Sequence, residues 1–171
     1  MSRPRLLLLN AGLFQLGWLA CVLGAQHPWW LLIALGCLAA QLRWVARQPD
    51  EWYLVLKVAA IGGALDSLLM HLGVFDFGAG NGLLLPLWLA ILWLLFATTL
   101  RHCLFWTARP WWLGSVLGAL GGPLSYLGGA RIAAVELPLG AWQSLLLIAA
   151  IWAVLMPLLH RLASPPASTR P

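Results

Sequence analysis

From Leu6 to His160 the chain is a nearly unbroken series of apolar runs, each close to the length of a membrane-crossing helix. That feature leaves few folds open. A helix needs about 20 mainly apolar residues to cross the hydrocarbon of a bilayer. The runs read as Leu6–Leu23, Trp29–Trp44, Trp52–Leu72, Leu84–Cys103, Trp111–Gly129 and Leu139–His160. They are continuous blocks of Leu, Ala, Ile and Trp. A membrane barrel would instead show alternating segments of about ten residues. Helices also satisfy their own backbone, which hydrocarbon demands. Charged residues make up 9% of the chain, against about 25% in soluble domains. A water-facing surface cannot be covered with so few. The expected fold class is therefore all-α, a compact bundle of about six transmembrane helices. Residues 1–162 form one polytopic domain, and the Pro- and Ser-rich tail 163–171 is expected to be disordered.

Arg3 and Arg5 precede the first run, as in a signal peptide, but Asn10 and Gln15 interrupt its apolar stretch. Trp18-Leu19-Ala20-Cys21 is a poor lipobox, so an uncleaved first span is expected. Orientation follows from the basic residues. With the N-terminus in the cytoplasm, Arg3, Arg5, Arg43, Arg47, Lys57, Arg101, Arg109, Arg161 and Arg170 all lie inside, and only Arg131 lies outside. Positive charge is retained on the cytoplasmic side, so both termini are expected there. Tryptophans mark the interfaces, with Trp29, Trp30, Trp88 and Trp142 at outer ends. Trp44, Trp52, Trp106, Trp111 and Trp112 mark the inner ends.

The net charge of +5 is spread over loops and forms no basic stripe, which argues against nucleic acid. Cys21, Cys37 and Cys103 lie far apart in apolar segments and read as buried, inert thiols. Neither HExxH, CxxC nor GxSxG occurs. Gly78-Ala79-Gly80-Asn81-Gly82 lacks the strand and Lys of a phosphate loop. His27, His71, Asp76 and Glu136 are scattered over different loops. No metal or cofactor is expected.

The residue that stands out is Asp66, inside the third run. A carboxylate at the centre of a bilayer costs about 3 kcal/mol on insertion scales. It therefore faces protein, and such groups often mark a substrate, ion or proton site. Ala59, Gly63 and Ser67 form a small-residue row that lets another helix approach. The fifth run carries Gly121-Gly122-Pro123-Leu124-Ser125-Tyr126, with Ser125 at about the depth of Asp66. Pro123 removes a helical hydrogen bond and is expected to break the helix there. The expectation is a polar pocket in the outer half, built from spans one, three and five. Asp66 is its centre, and Ser67, Asn10, Gln15, Ser125, Tyr126 and Pro123 are its wall. The competing structural reading ties Asp66 to Tyr126, to a broken helix or to Arg131, and gives Asn10 and Gln15 an interhelical bonding role. His71 would snorkel, and Thr98, Thr99, Arg101 and His102 would form a solvated helix end.

Four ordered motifs run through the chain. They are Asn10-x3-Phe14-Gln15-x2-Trp18, Gly62-x3-Asp66-Ser67-x-Leu69, the Trp-rich stretch from Pro86 to Leu100, and Gly122-Pro123-Leu124-Ser125-Tyr126. Together they resemble a family of small bacterial inner-membrane proteins catalogued as domain of unknown function 2878. The resemblance implies an inner-membrane location and no assigned activity. Members of that family are often encoded near cyclopropane-fatty-acid-synthase-like enzymes, which implies a protein partner in fatty-acid modification. On the residues and the resemblance, the leading expectation is a small transport or lipid-handling protein that holds a lipid or small polar ligand. The alternatives are an intramembrane enzyme acting on acyl chains and a scaffold subunit without its own site. The enzyme reading leans on Asp66, Ser67 and His71. Yet an offset of five residues turns Asp66 and His71 about 140° apart on a helix.

Overall fold

The structure, a computed structural model, describes residues 3–48, 50–78 and 85–164. Among them there are helices and no strand. The helices are α1 (Arg3–Gly24), α2 (Trp30–Ala40), α3 (Glu51–His71), α4 (Leu87–Ala97), α5 (Trp111–Ala133) and α6 (Ala141–Ala163). A π-helical turn, Gln41–Val45, prolongs α2, and a 3-10 turn, Phe105–Ala108, precedes α5. α1, α3 and α6 are each long and apolar enough to cross a membrane. The six apolar runs thus became helices, with ends mostly within a few residues of expectation.

Successive helices run in opposite directions. At the near end, where α1, α3 and α5 begin, Arg101 after α4 meets Asp50 before α3 and the carbonyl of Ala163 that ends α6. At the far end Gln26 beyond α1 donates to the Ile132 carbonyl near the end of α5. There too the backbones of Asp76 and Glu136 bond to each other, tying the α3–α4 loop to the α5–α6 loop.

α4 lies at the middle of the packing. Its Leu89, Trp93 and Ala97 join Leu54, Val55 and Val58 of α3 and Leu155 and Leu159 of α6 in one core. Its Ile91 and Leu95 join Cys21 of α1 and Ala34 and Cys37 of α2 in another. A helix apolar all round is one buried on every side. α5 and α6 meet through glycine, since a Cβ on Gly118 would collide with the Trp152 carbonyl and one on Gly122 with the Trp152 ring. Small residues let membrane helices close to backbone contact, where dispersion replaces the missing hydrophobic drive.

Two expectations fail. The fourth run was expected to be helical from Leu84 to Cys103, but α4 ends at Ala97 and residues 98–104 form consecutive turns. Eleven helical residues span only about 16 Å. Thr98 and Thr99 donate their hydroxyls to the carbonyls of Leu95 and Phe96, and their amides bond the same two carbonyls. Side-chain competition of this kind ends helices. Conversely, the break expected at Pro123 does not occur, because α5 runs through it, as α6 runs through Pro157. One proline removes one amide donor, and the preceding Gly121 and Gly122 bring no side chains to crowd its ring. The first residue of the expected tail is helical, since Ala163 is buried at the end of α6. The remainder of the tail, 165–171, lies outside the described residues, as does 79–84 of the glycine-rich loop and the start of the fourth run.

Candidate functional site

Asp66 sits fifteen residues into α3, and Tyr126 fifteen residues into α5, each about 22 Å from the near end at 1.5 Å per residue. The equal depths make a direct bond geometrically available. The Tyr126 hydroxyl donates to one Asp66 carboxylate oxygen at 2.7 Å. The Trp93 indole N–H donates to the other, also at 2.7 Å. Trp93 can reach it because Gly62, one turn before Asp66, has no side chain. A Cβ there would overlap the Trp93 ring. Gly62, rather than the Ala59–Gly63–Ser67 row, therefore makes the close approach, and Gly63 meets only Leu85 at ordinary distance.

The aromatic partners continue outward. Trp93 stacks on Trp152, with centroids 5.7 Å apart and planes 9° apart. Tyr126 stacks on Phe75 at 5.3 Å. Phe96 meets Trp152 edge-on at 5.3 Å. These rings wall a cavity of about 80 Å³, and nine of its sixteen lining residues are aromatic. Phe14 and Trp18 of α1 form one side, and Phe75, Phe77 and Val135 of the far-end loops form its roof. Ser125 lines it and is exposed, so the cavity reaches the bundle surface at the α1–α5 seam. The Trp18 indole donates to the Ser125 hydroxyl across that seam at 3.0 Å.

Asp66 is completely buried behind Trp93 and Tyr126 and does not itself line the cavity. Its exclusion from water is balanced by hydrogen bonds. A bond to a charged group contributes about 1.5–3 kcal/mol, so two offset a penalty near 3 kcal/mol. Among the described residues no cation lies within ion-pair distance of it. Arg131, considered as a partner from sequence, is exposed on α5.

The structure sets Tyr126 and Ser125 on one cavity with Asp66 behind its wall, and it separates the other expected wall residues from it. Ser67 donates to the Gly63 carbonyl within α3, and His71 bonds the Ser67 carbonyl. Asp66, Ser67 and His71 thus share a helix without converging. Pro123 is half-buried on α5 and does not line the cavity. Gln15 lies exposed on the surface of α1.

Asn10 belongs to a second polar knot nearer the near end. Its amide nitrogen donates to Gln41 Oε1 at 2.8 Å and to the Thr98 carbonyl at 3.1 Å. Its oxygen accepts from the Cys103 amide at 3.1 Å, and Gln41 Nε2 returns a bond to the Asn10 carbonyl. These are the backbone groups released where α4 stops. The pocket expected from spans one, three and five is instead an α3–α4–α5 knot with α1 and α6 completing the cavity.

Sequence reasoning missed Trp93 and Trp152, though a signal existed. Nine of the twelve tryptophans mark helix ends, leaving Trp18, Trp93 and Trp152 at depth. All three line the cavity. A deep indole needs an acceptor for its N–H, and Asp66 was the obvious one.

A family model for a protein of unknown function (DUF2878) matches residues 7–158. The chain belongs to the DUF2878 family. Every residue of the Asp66 and Asn10 knots falls within the matched region, so both belong to the DUF2878 domain itself. No curated protein and no solved structure matches the chain.

Proposed function

We propose that this DUF2878 protein is a six-span inner-membrane protein, with both termini cytoplasmic, that handles a lipid-like molecule in its aromatic cavity. The observation that carries the reading is the cavity wall, in which aromatic rings predominate and Ser125 reaches the α1–α5 seam. Pockets of this kind take apolar ligands, with a few polar groups fixing their orientation. Eight basic residues on the near side among the described residues support the orientation, which makes the near end cytoplasmic and sets the cavity in the outer half. The three helices long and apolar enough to span, and α5 of similar length, would then be joined by α2 with its π turn and by α4 with its turns, both held by Asn10.

The test is to purify the protein in mild detergent and identify retained lipid by native mass spectrometry. A cavity-filling variant, Ala130→Phe, is compared with it. The expected result is a retained species in the wild type that the variant lacks at unchanged helical content. An identical lipid complement in both would sink the reading.

A further inference from the structure

The hydrogen bonds to Asp66 replace its lost solvation, but they leave its charge. Both Asp66 oxygens accept hydrogen bonds, which favours the charged form, and no cation lies in ion-pair distance among the described residues, so that charge would project a negative potential through Trp93 and Tyr126. Both residues line the cavity. Their N–H and O–H donors point at the carboxylate, so electron density moves into two of the nine aromatic rings that line the cavity. Aromatic faces attract cations, best when water is excluded. Intramembrane carboxylates commonly serve as counter-ions to a ligand. No lining side chain carries a positive charge to oppose one.

We infer that the cavity takes a hydrophobic organic cation, an alkylammonium group seated among its aromatic rings, with Asp66 behind Trp93 and Tyr126 as its counter-charge. This rests on the reading of the cavity as a ligand site and names the chemistry of its occupant. A small inorganic cation fits poorly, because it would surrender its hydration to a wall with almost no oxygen ligands. A quaternary or alkylated ammonium is weakly hydrated and loses little there. The same chemistry could arrive as the headgroup of a lipid or as a free amine.

The experiment compares choline with its uncharged carbon isostere, 3,3-dimethylbutanol, by calorimetric titration of the full-length protein in micelles. The expected result is that choline binds at least about tenfold more tightly. Asp66→Asn, which keeps an oxygen acceptor, should remove that excess and leave the isostere's affinity unchanged. Equal affinities for the two probes in the wild type would overturn the inference while leaving the lipid-cavity reading intact. If neither probe binds and no lipid is retained, both fall. The wild-type comparison stands alone should the variant fail to fold. Lysophosphatidylcholine and lysophosphatidylglycerol then separate the sources. A preference for the choline head assigns a lipid, and equal binding with choline still preferred over its isostere assigns a free amine.

Discussion

The Asp66 and Asn10 knots are both fully buried polar groups in an apolar bundle, yet their partners differ in kind. Asn10 bonds the Thr98 carbonyl and the Cys103 amide, the loose backbone where α4 ends, and is braced by Gln41. Asp66 mends no backbone in these contacts and bonds two side chains that wall a cavity. The difference separates a knot that repairs backbone from one that lies behind a cavity wall. Hydrocarbon cannot satisfy a released peptide group, so something like Asn10 must stand wherever a helix stops inside it. Nothing about helix α3 requires a carboxylate at position 66. A neutral acceptor would hold Trp93 and Tyr126 at lower desolvation cost, so the charge is what needs a purpose.

The comparison is broken most severely at Asn10. Replacing it with Leu strands the Thr98 carbonyl, the Cys103 amide and Gln41 in an apolar interior. Each stranded group costs about 1–3 kcal/mol, giving a loss of about 3–9 kcal/mol against a typical stability of about 5–15 kcal/mol. The expected outcome is poor folded yield and a melting temperature lowered by many degrees in detergent. A near-wild-type melt for Asn10→Leu would show that the turn at 98–104 finds other partners.

Gly62→Ala comes next and strikes the other knot through its packing. The new methyl collides with Trp93, and overpacking of this kind costs about 1–3 kcal/mol. In a Trp93→Leu background the same change should cost much less, because the ring it collides with is gone. The non-additivity in a double-mutant cycle is the measured quantity. Additive costs would mean that the two residues do not meet.

A smaller stability effect, and the sharpest contrast, belongs to Asp66→Asn. The amide keeps one acceptor and sheds the buried charge, so the change in stability is expected within about 1 kcal/mol. Asp66→Leu strands both donors and should cost about 2–4 kcal/mol. A large loss in Asp66→Asn would make the charge itself structural and erase the distinction between the knots.

How much of this was readable from sequence follows the same divide. The six segments were legible because apolar runs of membrane length report directly on helices. Asp66 and Tyr126 were legible as a pair because depth follows from position along a helix. Asn10 was legible as an interhelical hydrogen-bonding residue but its partners were not, because they are Gln41 and backbone groups of residues 98 and 103, the latter more than eighty positions away. That backbone is released only because α4 stops early. The stop itself was written in Thr98 and Thr99, which read as a helix end from sequence but a few residues too late. Pro123 gave the opposite error, since proline removes one hydrogen bond while α5 continues through it, packed by Gly118 and Gly122 against α6. That packing partner is distant in sequence, and no single-residue signal carries it.

The smallest effect is expected outside the apolar zone, at Asp50. Its carboxylate accepts a 2.7 Å bond from Arg101, and that bond holds the Asp50 carboxyl below its usual range. A depressed folded value means that the unfolded chain takes up the proton first as pH falls. The contribution to stability is therefore whole above the ordinary carboxyl value near 4 and disappears as pH drops through the lower folded one. Asp50 is exposed, so solvent and salt screen the pair. Melting should be nearly the same for wild type and Asp50→Asn at pH 7. Below about pH 4 the wild type should lose stability more steeply than the variant, whose amide cannot titrate there. Added salt should shrink that gap, in contrast to the Asp66 knot, whose bonds lie beyond the reach of ions in solution. If Asp50→Asn follows the wild type down the acid limb, the titration does not belong to Asp50.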